Sequence, residues 1–385
     1  MLRYGRHHLD EADVAAVVEV LRSEWLTTGP KVEEFELAFA RATGSREAVA
    51  VSSGTAALHA ALQALGVGPG DEVIVPTMTF AATASSVLYQ GAQPVFADVE
   101  PETLLLGPAE AEARITPSTK VVLAVDYAGQ PCDYEGLGAL AESRGLALVA
   151  DACHGLGATD GLRPVGSLAE LSAFSLHPVK AMTAGEGGVV TTDSEELASK
   201  MRRFRNHGIN SDFRQRDAGA SWTYDVEELG YNYRFTDFQS ALALSQLKKI
   251  PGFVARRREI AHRYDEAFEG MDGLLRPLAS RPGATHAYHL YVVRLDLKRL
   301  STGRTAVFKA LRAEGIGVNV HYIPVHLHPL YVKRLGTGAG LCPVAEAAYE
   351  EILTLPIFPA MDDSDAEDVI RAVSKVLRAF SRKTA

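Results

Sequence analysis

Short runs of consecutive apolar residues alternate with stretches of helical period through the first half of the chain. AVAVS (48–52) leads into TAALHAALQAL, and EVIVP (72–76) leads into a helix of small residues. PVFADV (94–99) precedes a short polar stretch, KVVLAVD (120–126) leads through a Pro/Gly turn to DYEGLGALAESRG, and LALVAD (146–151) closes the series. Strands that do not alternate in polarity are buried on both faces, and helical connections between them predict a parallel sheet. The pattern is therefore doubly wound α/β. Ligands of such sheets bind beyond the carboxyl ends of the strands.

The rhythm changes near residue 250. Two helical stretches, TDFQSALALSQLKKI and GFVARRREIAHRYDEAF, lead to a strand in HAYHLYVVRLD. A helix around TAVFKALRAEG, a strand IGVNVHY and a last helix from Ser364 to Phe380 follow. This layout predicts a large domain over 1–250 and a smaller α+β domain over 251–385. Thr236 with Gln239, and Ser364 with Glu367, fit capping boxes at two helix starts.

Composition narrows the function classes. A formal charge of −9 argues against nucleic-acid binding, which draws on an excess of clustered Lys and Arg. The basic run Arg202, Arg203 and Arg205 is accordingly read as a solvated helix face. Cys132, Cys153 and Cys342 show no CxxC spacing, so neither a disulfide framework nor a zinc site is expected, and a reducing cytoplasm fits. MLRYGRHHLDEADV carries no apolar leader core, and no apolar run approaches the roughly 20 residues of a membrane span. A soluble, unprocessed cytoplasmic protein is expected.

Candidate chemistry gathers where strands end. Ser53, Gly54 and Thr55 lie between a strand and a helix, so free N–H groups and a hydroxyl face one spot backed by the helix dipole. That suits an anion, although Ser and Thr cap helices generally. Asp151 closes the apolar strand LALVAD, and a buried carboxylate needs a partner. Taken alone it reads first as a cap of the following turn; in pyridoxal phosphate enzymes such an Asp keeps the pyridine nitrogen protonated. Lys180 follows LSAFSLHPV and precedes the glycine-rich AMTAGEGGVV, at the end of an apolar strand. Desolvation there favours a neutral amine, able both to form a Schiff base and to move a proton. Ser175, five residues earlier, adds a hydroxyl to the anion site. Together these supply an anion site, a ring-nitrogen carboxylate and an imine lysine.

The segments SSGTAAL, PTMTFAAT, VADACHG, SFSLHPVKAMTAGEGGVV and LGYNYRFTDFQSALALSQL resemble the signature blocks of the DegT/DnrJ/EryC1/StrS family of sugar-nucleotide aminotransferases. The resemblance covers nearly the whole chain. It implies the aspartate aminotransferase fold (fold type I) and pyridoxal 5'-phosphate, with pyridoxamine 5'-phosphate in the cycle. It makes Lys180 the Schiff-base residue and Asp151 the partner of the ring nitrogen, sets His154 beside the ring and stacks Phe80 on it. Thr55, Ala56 and Ser175, with Gly54, match phosphate contacts. Asn232 matches a side chain lent to the neighbouring subunit's phosphate, which implies a homodimer with shared sites.

Lys180 stands where some family members, which are dehydratases, carry His, so transamination is expected, with glutamate as the donor that the resemblance implies. WLTTGPKVEEFE, VNVHYIPVHLHPLY and LTLPIFPAM resemble members that aminate C4 of a UDP-linked 4-keto-6-deoxy-N-acetylhexosamine on the route to pseudaminic acid. That resemblance places Thr28, His321 and Tyr322 near the nucleotide-sugar, although Thr28 also reads as a turn residue. The alternatives are amination at C3, a dTDP- or GDP-linked ketosugar, or a regulatory protein on the same fold. The HxxxxHxH run at 321, 326 and 328 is not read as a metal site, because no carboxylate or Cys neighbours it in sequence.

Overall fold

The apolar runs become strands because each is short, β-branched and bounded by turn residues. The computed structural model describes residues 1–382 apart from positions 212 and 272. In chain order the strands are β1 (Glu47–Val51), β2 (Glu72–Pro76), β3 (Gln93–Ala97), β4 (Thr119–Val125), β5 (Ala147–Asp151), β6 (Thr159–Asp160), β7 (Arg163–Pro164), β8 (Leu171–Ser175), β9 (Gly188–Thr192), β10 (Leu275–Pro277), β11 (Ala284–Thr285), β12 (Tyr291–Leu295) and β13 (Ile352–Leu355). Seven form one sheet in the order β1-β9-β8-β5-β4-β2-β3. β9 alone runs antiparallel to its neighbours; the connection 176–187 returns as a loop, not a helix, and such a return suits an antiparallel pair. The other pairings are parallel, as expected.

Helices Gly54–Ala64 and Ala81–Tyr89 pack small faces together on this sheet, with Ala57, Ala60, Ala61 and Ala84 buried. A second core joins helices Ile250–Glu269 and Asp363–Phe380 to the small antiparallel sheet β10-β12-β13, around Tyr264, Tyr291, Leu353 and Val373. The chain then returns, since Val325, Tyr331, Cys342 and Ala345 belong to the large core.

Three local expectations change. IGVNVHY forms no strand ladder: Ile316 bridges only Leu2, and Asn319 only Thr354. The chain's first residues occupy the space beside it, and a β-carbon on Gly317 would stand 2.6 Å from the Leu2 carbonyl oxygen. The capping box at Thr236 and Gln239 is present, but the last helix starts at Asp363 and is capped by Asp362 with Asp365 instead of Ser364 with Glu367. An earlier start places Asp363 and Asp365 in the first turn, where the helix dipole favours acids.

The basic run is not a solvated face. β1 is an edge strand whose outer groups need partners. Glu36 accepts the Ala50 N–H at 2.8 Å, Arg205 donates to the Ala50 carbonyl at 2.6 Å, and Arg202 donates to the Ala48 carbonyl at 3.2 Å. Arg205 and Glu36 also pair with each other, with Glu36 buried. The edge is thus closed by an ion pair. Glu36→Ala should destabilise the protein by about 3 kcal/mol, because it strands Arg205 and the Ala50 N–H together; a urea unfolding midpoint equal to wild type would contradict that assignment.

Candidate active site

β1 delivers Ser53, whose hydroxyl caps helix Gly54–Ala64 by accepting the Ala56 N–H at 3.1 Å, while the Ser53 carbonyl takes the Ala57 N–H at 3.0 Å. The Ala56 N–H is therefore already engaged. The N–H groups of Gly54 and Thr55 have no acceptor among the described residues, and the dipole of an 11-residue helix stands behind them. A β-carbon on Gly54 would meet Ser175 Cβ at 2.8 Å, and one on Gly188 would meet the Ser53 carbonyl oxygen at 2.2 Å. Glycine at both positions lets β1, β8 and β9 close into a cradle of phosphate-binding character, with the Ser175 hydroxyl on its rim.

Asp151 is the last residue of β5 and is buried. Its Oδ2 accepts the Thr83 hydroxyl at 2.7 Å and its Oδ1 the Cys153 N–H at 3.2 Å. Thr83 in turn meets the Thr79 hydroxyl at 2.7 Å. No described cation pairs with this carboxylate. Two neutral donors fix its direction, and its charge is left for a cationic partner, which suits a protonated ring nitrogen.

Lys180 stands beyond the strand end, not on it. It lies five residues past β8, in a loop pinned by Leu176 N–H to Gly187 O at 2.8 Å, Ala184 N–H to Leu176 O at 3.0 Å and Lys180 N–H to His177 O at 2.9 Å. The side chain is half-buried, and its Nζ makes no hydrogen bond with the described residues. Desolvation pulls its pKa below the ordinary lysine value, against the opposing pull of Cys153 and Asp151.

An aromatic wall rises on the other side. His154 is buried with its ring 4.3 Å from His289, and its Nε2 meets the Tyr322 hydroxyl at 3.2 Å. Burial, then the nearby Lys180, holds His154 well below the usual histidine pKa, so the ring is neutral. Phe80 is 59% exposed, which leaves a face free to stack, and lies 6.0 Å from the Tyr322 ring. His321 meets Thr354 Oγ1 through Nδ1 at 2.9 Å and the Asn319 amide through Nε2 at 3.3 Å. Lys180, Asp151, Cys153, His154, His321 and Tyr322 therefore share one electrostatic neighbourhood.

Thr28 and Asn232 share no hydrogen bond with that cluster. Thr28 occupies a left-handed turn (φ 56°), with its hydroxyl on the Thr27 carbonyl at 2.7 Å. Asp237 holds the turn through the Gly29 and Lys31 N–H groups at 2.8 and 3.0 Å. Asn232 is exposed and next to Tyr233, whose carbonyl accepts the Ser52 N–H at 2.9 Å. Of the other histidines, His326 does have a carboxylate neighbour, which the sequence did not reveal: its Nε2 meets Glu346 at 3.0 Å and its Nδ1 meets Thr77 Oγ1 at 2.6 Å.

The family model described as the DegT/DnrJ/EryC1/StrS aminotransferase family matches residues 7–374. The chain belongs to that family. Its cofactor is pyridoxal phosphate, and the cradle, the unpaired Asp151 and the free Lys180 amine all fit that group. Among curated proteins the chain is 42% identical to the spore coat polysaccharide biosynthesis protein SpsC of Bacillus subtilis, over 98% of this chain and 97% of that one. Among solved structures it resembles the pyridoxamine-form sugar aminotransferase Spr1654 of Streptococcus pneumoniae, with TM-score 0.92, 33% identity, 98% of this chain and 100% of that one covered. It also resembles PseC of Helicobacter pylori, an aminotransferase involved in the biosynthesis of pseudoaminic acid, with TM-score 0.91, 31% identity and the same coverage.

Thr83, His289 and Asp126 complete the site and were not singled out in the sequence. Asp126 had the clearer signal, since KVVLAVD ends in Asp just as LALVAD does. It follows β4 next to Asp151, and its N–H donates to the Asp151 carbonyl at 3.1 Å. Its Oδ1 accepts the Tyr134 hydroxyl at 2.7 Å and the Cys132 N–H at 3.3 Å, while its buried Oδ2 has no partner among the described residues. Desolvation, with Asp151 adding to it, raises the Asp126 pKa to about 7 against the pull of Tyr134, Cys132 and Arg281. A carboxyl that keeps its proton longer when folded loses stability as pH rises from its unfolded value near 3.8 to about 7. Asp126→Asn removes that slope, so relative to wild type the variant should gain about 1.4 kcal/mol per pH unit across that window. Denaturant midpoints at pH 5 and pH 8 that shift in parallel for the two proteins would contradict this.

Proposed function

We propose that this aminotransferase acts on nucleotide-linked ketosugars, moving an amino group from an amino acid, glutamate in the manner of its family, onto a sugar carbonyl. The observation that carries the reading is the half-buried Lys180 amine, which makes no hydrogen bond with the described residues and whose pKa desolvation lowers, in one electrostatic neighbourhood with Asp151. When bound, pyridoxal phosphate supplies the electron sink that makes an amino acid's α-proton removable. Lys180 Nζ takes that proton from one carbon and returns it at another, and on the sugar half it sets the new stereocentre. Asp151 holds the ring nitrogen in its cationic form, directed by Thr83 and the Cys153 N–H. The Gly54 and Thr55 N–H groups and the Ser175 hydroxyl hold the phosphate. Ala56 contributes its place in the first turn, because its N–H serves the Ser53 cap. Phe80 and His154 flank the ring.

The sugar side rests on relatives whose names state it, among them the sugar aminotransferase Spr1654 and an enzyme solved with its TDP-sugar product. Amination of C4 of a UDP-linked 4-keto-6-deoxy-N-acetylhexosamine is the specific assignment, supported by likeness to PseC. Thr28, His321 and Tyr322 line the sugar side in this reading. No helix among the described residues is long and apolar enough to cross a membrane, and the three cysteines are free, which suits work in the cytoplasm.

A homodimer completes the reading. Trp222, Val226 and Leu229 are at least 65% exposed and Tyr224 and Tyr231 are half exposed, all close in sequence to Asn232. An apolar strip of that kind suits a second copy, into whose cradle Asn232 would reach. Sedimentation should return twice the 41.4 kDa of one chain.

Borohydride reduction of the holoenzyme followed by mass mapping should place the pyridoxyl mass on Lys180, and Lys180→Ala should lose turnover by about a thousandfold or more. A label on another lysine, or turnover retained in that variant, refutes the scheme. A panel of UDP-, dTDP- and GDP-linked ketosugars with glutamate decides the substrate.

A further inference from the structure

The first residues of the chain cross from one core to the other. Leu2 N–H donates to the Gly315 carbonyl at 2.9 Å and Gly317 N–H to the Leu2 carbonyl at 2.7 Å, which ties the segment to the small core. Ile357 N–H then donates to the Tyr4 carbonyl at 3.2 Å. A β-carbon on Gly5 would lie 3.7 Å from Cβ of Val179, the residue before Lys180. Tyr4 is thereby suspended between the cores, and its ring lies 5.3 Å from that of His321, tilted 53°.

Both ring nitrogens of His321 are engaged within the protein, by Thr354 and Asn319, and its carbonyl takes the Tyr127 hydroxyl. From this position the imidazole turns no free polar edge to a ligand. Tyr4 differs. It is half-buried, its hydroxyl makes no hydrogen bond with the described residues, and burial keeps that hydroxyl protonated. Tyr4 also lies near enough to Tyr322 to disfavour ionisation of that phenol, after burial, Tyr127 and Asp151. Tyr322 itself reaches His154 at 3.2 Å. The Tyr4 ring therefore stands against His321 and within electrostatic reach of Tyr322, on the side of the site where Tyr322 meets His154.

We propose that Tyr4 determines specificity on the sugar side, with its hydroxyl hydrogen-bonded to an oxygen of the sugar bound over Lys180, and that His321 acts as the platform positioning it. This rests on the ketosugar reading above. It also moves the polar contact of this wall from His321 to a residue in the N-terminal segment. A half-buried phenol suits the task, because a site built to pair a substrate oxygen discriminates strongly against a sugar lacking it.

Tyr4→Phe keeps the ring on His321 and removes only the oxygen. With the holoenzyme, glutamate and UDP-linked 4-keto-6-deoxy-N-acetylhexosamine as probe, KM for the ketosugar should rise about tenfold, the size of one hydrogen bond. The rate constant of the glutamate half-reaction, followed by cofactor absorbance without sugar, should stay within about twofold of wild type, as expected for one lost neutral contact that the donor does not use. Inhibition by UDP alone should be the same in both proteins. An unchanged KM overturns the proposal, as does an equal loss in both half-reactions, which would mean general support of the site, or weaker binding of UDP, which would put the contact on the nucleotide. Wild-type turnover on the ketosugar panel tests the underlying reading separately: failure there sinks both, whereas turnover with an unaltered KM in Tyr4→Phe sinks only this one.

Discussion

A strand buried on both faces has little room for a polar side chain except at its ends, and that constraint organises this molecule. β1, β2, β4 and β5 are almost continuously apolar and buried. Polar groups therefore appear where these strands stop: Ser52 and Ser53 after β1, Thr77 and Thr79 after β2, Asp126 after β4, Asp151 at the end of β5 and Ser175 at the end of β8. Parallel pairing brings those ends to one edge of the sheet. The active site lies at the carboxyl ends of these strands, and its chemistry follows from which polar residues stand there.

Two of those residues are carboxylates on neighbouring strands, treated differently by their surroundings. Asp151 receives a hydroxyl and an N–H through separate oxygens and stays directed toward the cavity. Asp126 receives its donors on one oxygen only, and the other is sealed beneath the turn at Gly155, where a β-carbon would come within 2.6 Å. Placing two uncompensated charges side by side in a dry edge is costly. Raising the Asp126 pKa lessens the charge set beside Asp151, and around Lys180 desolvation is opposed first by Cys153 and then by Asp151. The neutral histidines His154 and His289 add no competing positive charge.

Much of this was legible because residue type and place agreed. Asp151 closing LALVAD, glycine and hydroxyls after AVAVS, and a lysine beside AMTAGEGGVV each break a local rule, and such breaks mark sites. What was not legible depended on distance in sequence. Thr83 reaches Asp151 across 68 positions, and His289 reaches His154 across 135; nothing local distinguishes that Thr or that His from others. IGVNVHY carries the alternation of a strand, yet its neighbour is an N-terminal segment that offers single bridges in place of a ladder. The Arg-rich turn at 202–205 reads as solvated because its partners, the carbonyls of an edge strand and Glu36, lie in elements far earlier in the chain.

The same distance effect explains why the aromatic wall around Tyr322 is legible only in part. His321 and Tyr322 lie in a block that resembles a family pattern, so they draw notice, while Tyr4 lies in a segment with no periodicity to mark it. Yet the wall is assembled from four parts of the chain: Tyr4, Tyr127, His154 and the pair His321–Tyr322. The buried Arg257 fixes the junction behind it by donating to the Ile357 carbonyl at 2.7 Å and the Tyr288 carbonyl at 3.1 Å. Ile357 is also the residue whose N–H donates to the Tyr4 carbonyl. One guanidinium, with no carboxylate partner among the described residues, thus ties the small core to the turn beside His289 and to the anchor of the N-terminal segment. A shift of the small core would move Tyr4 and His289 together relative to Lys180. The N-terminal segment and the turn beside His289 are therefore coupled through this buried guanidinium.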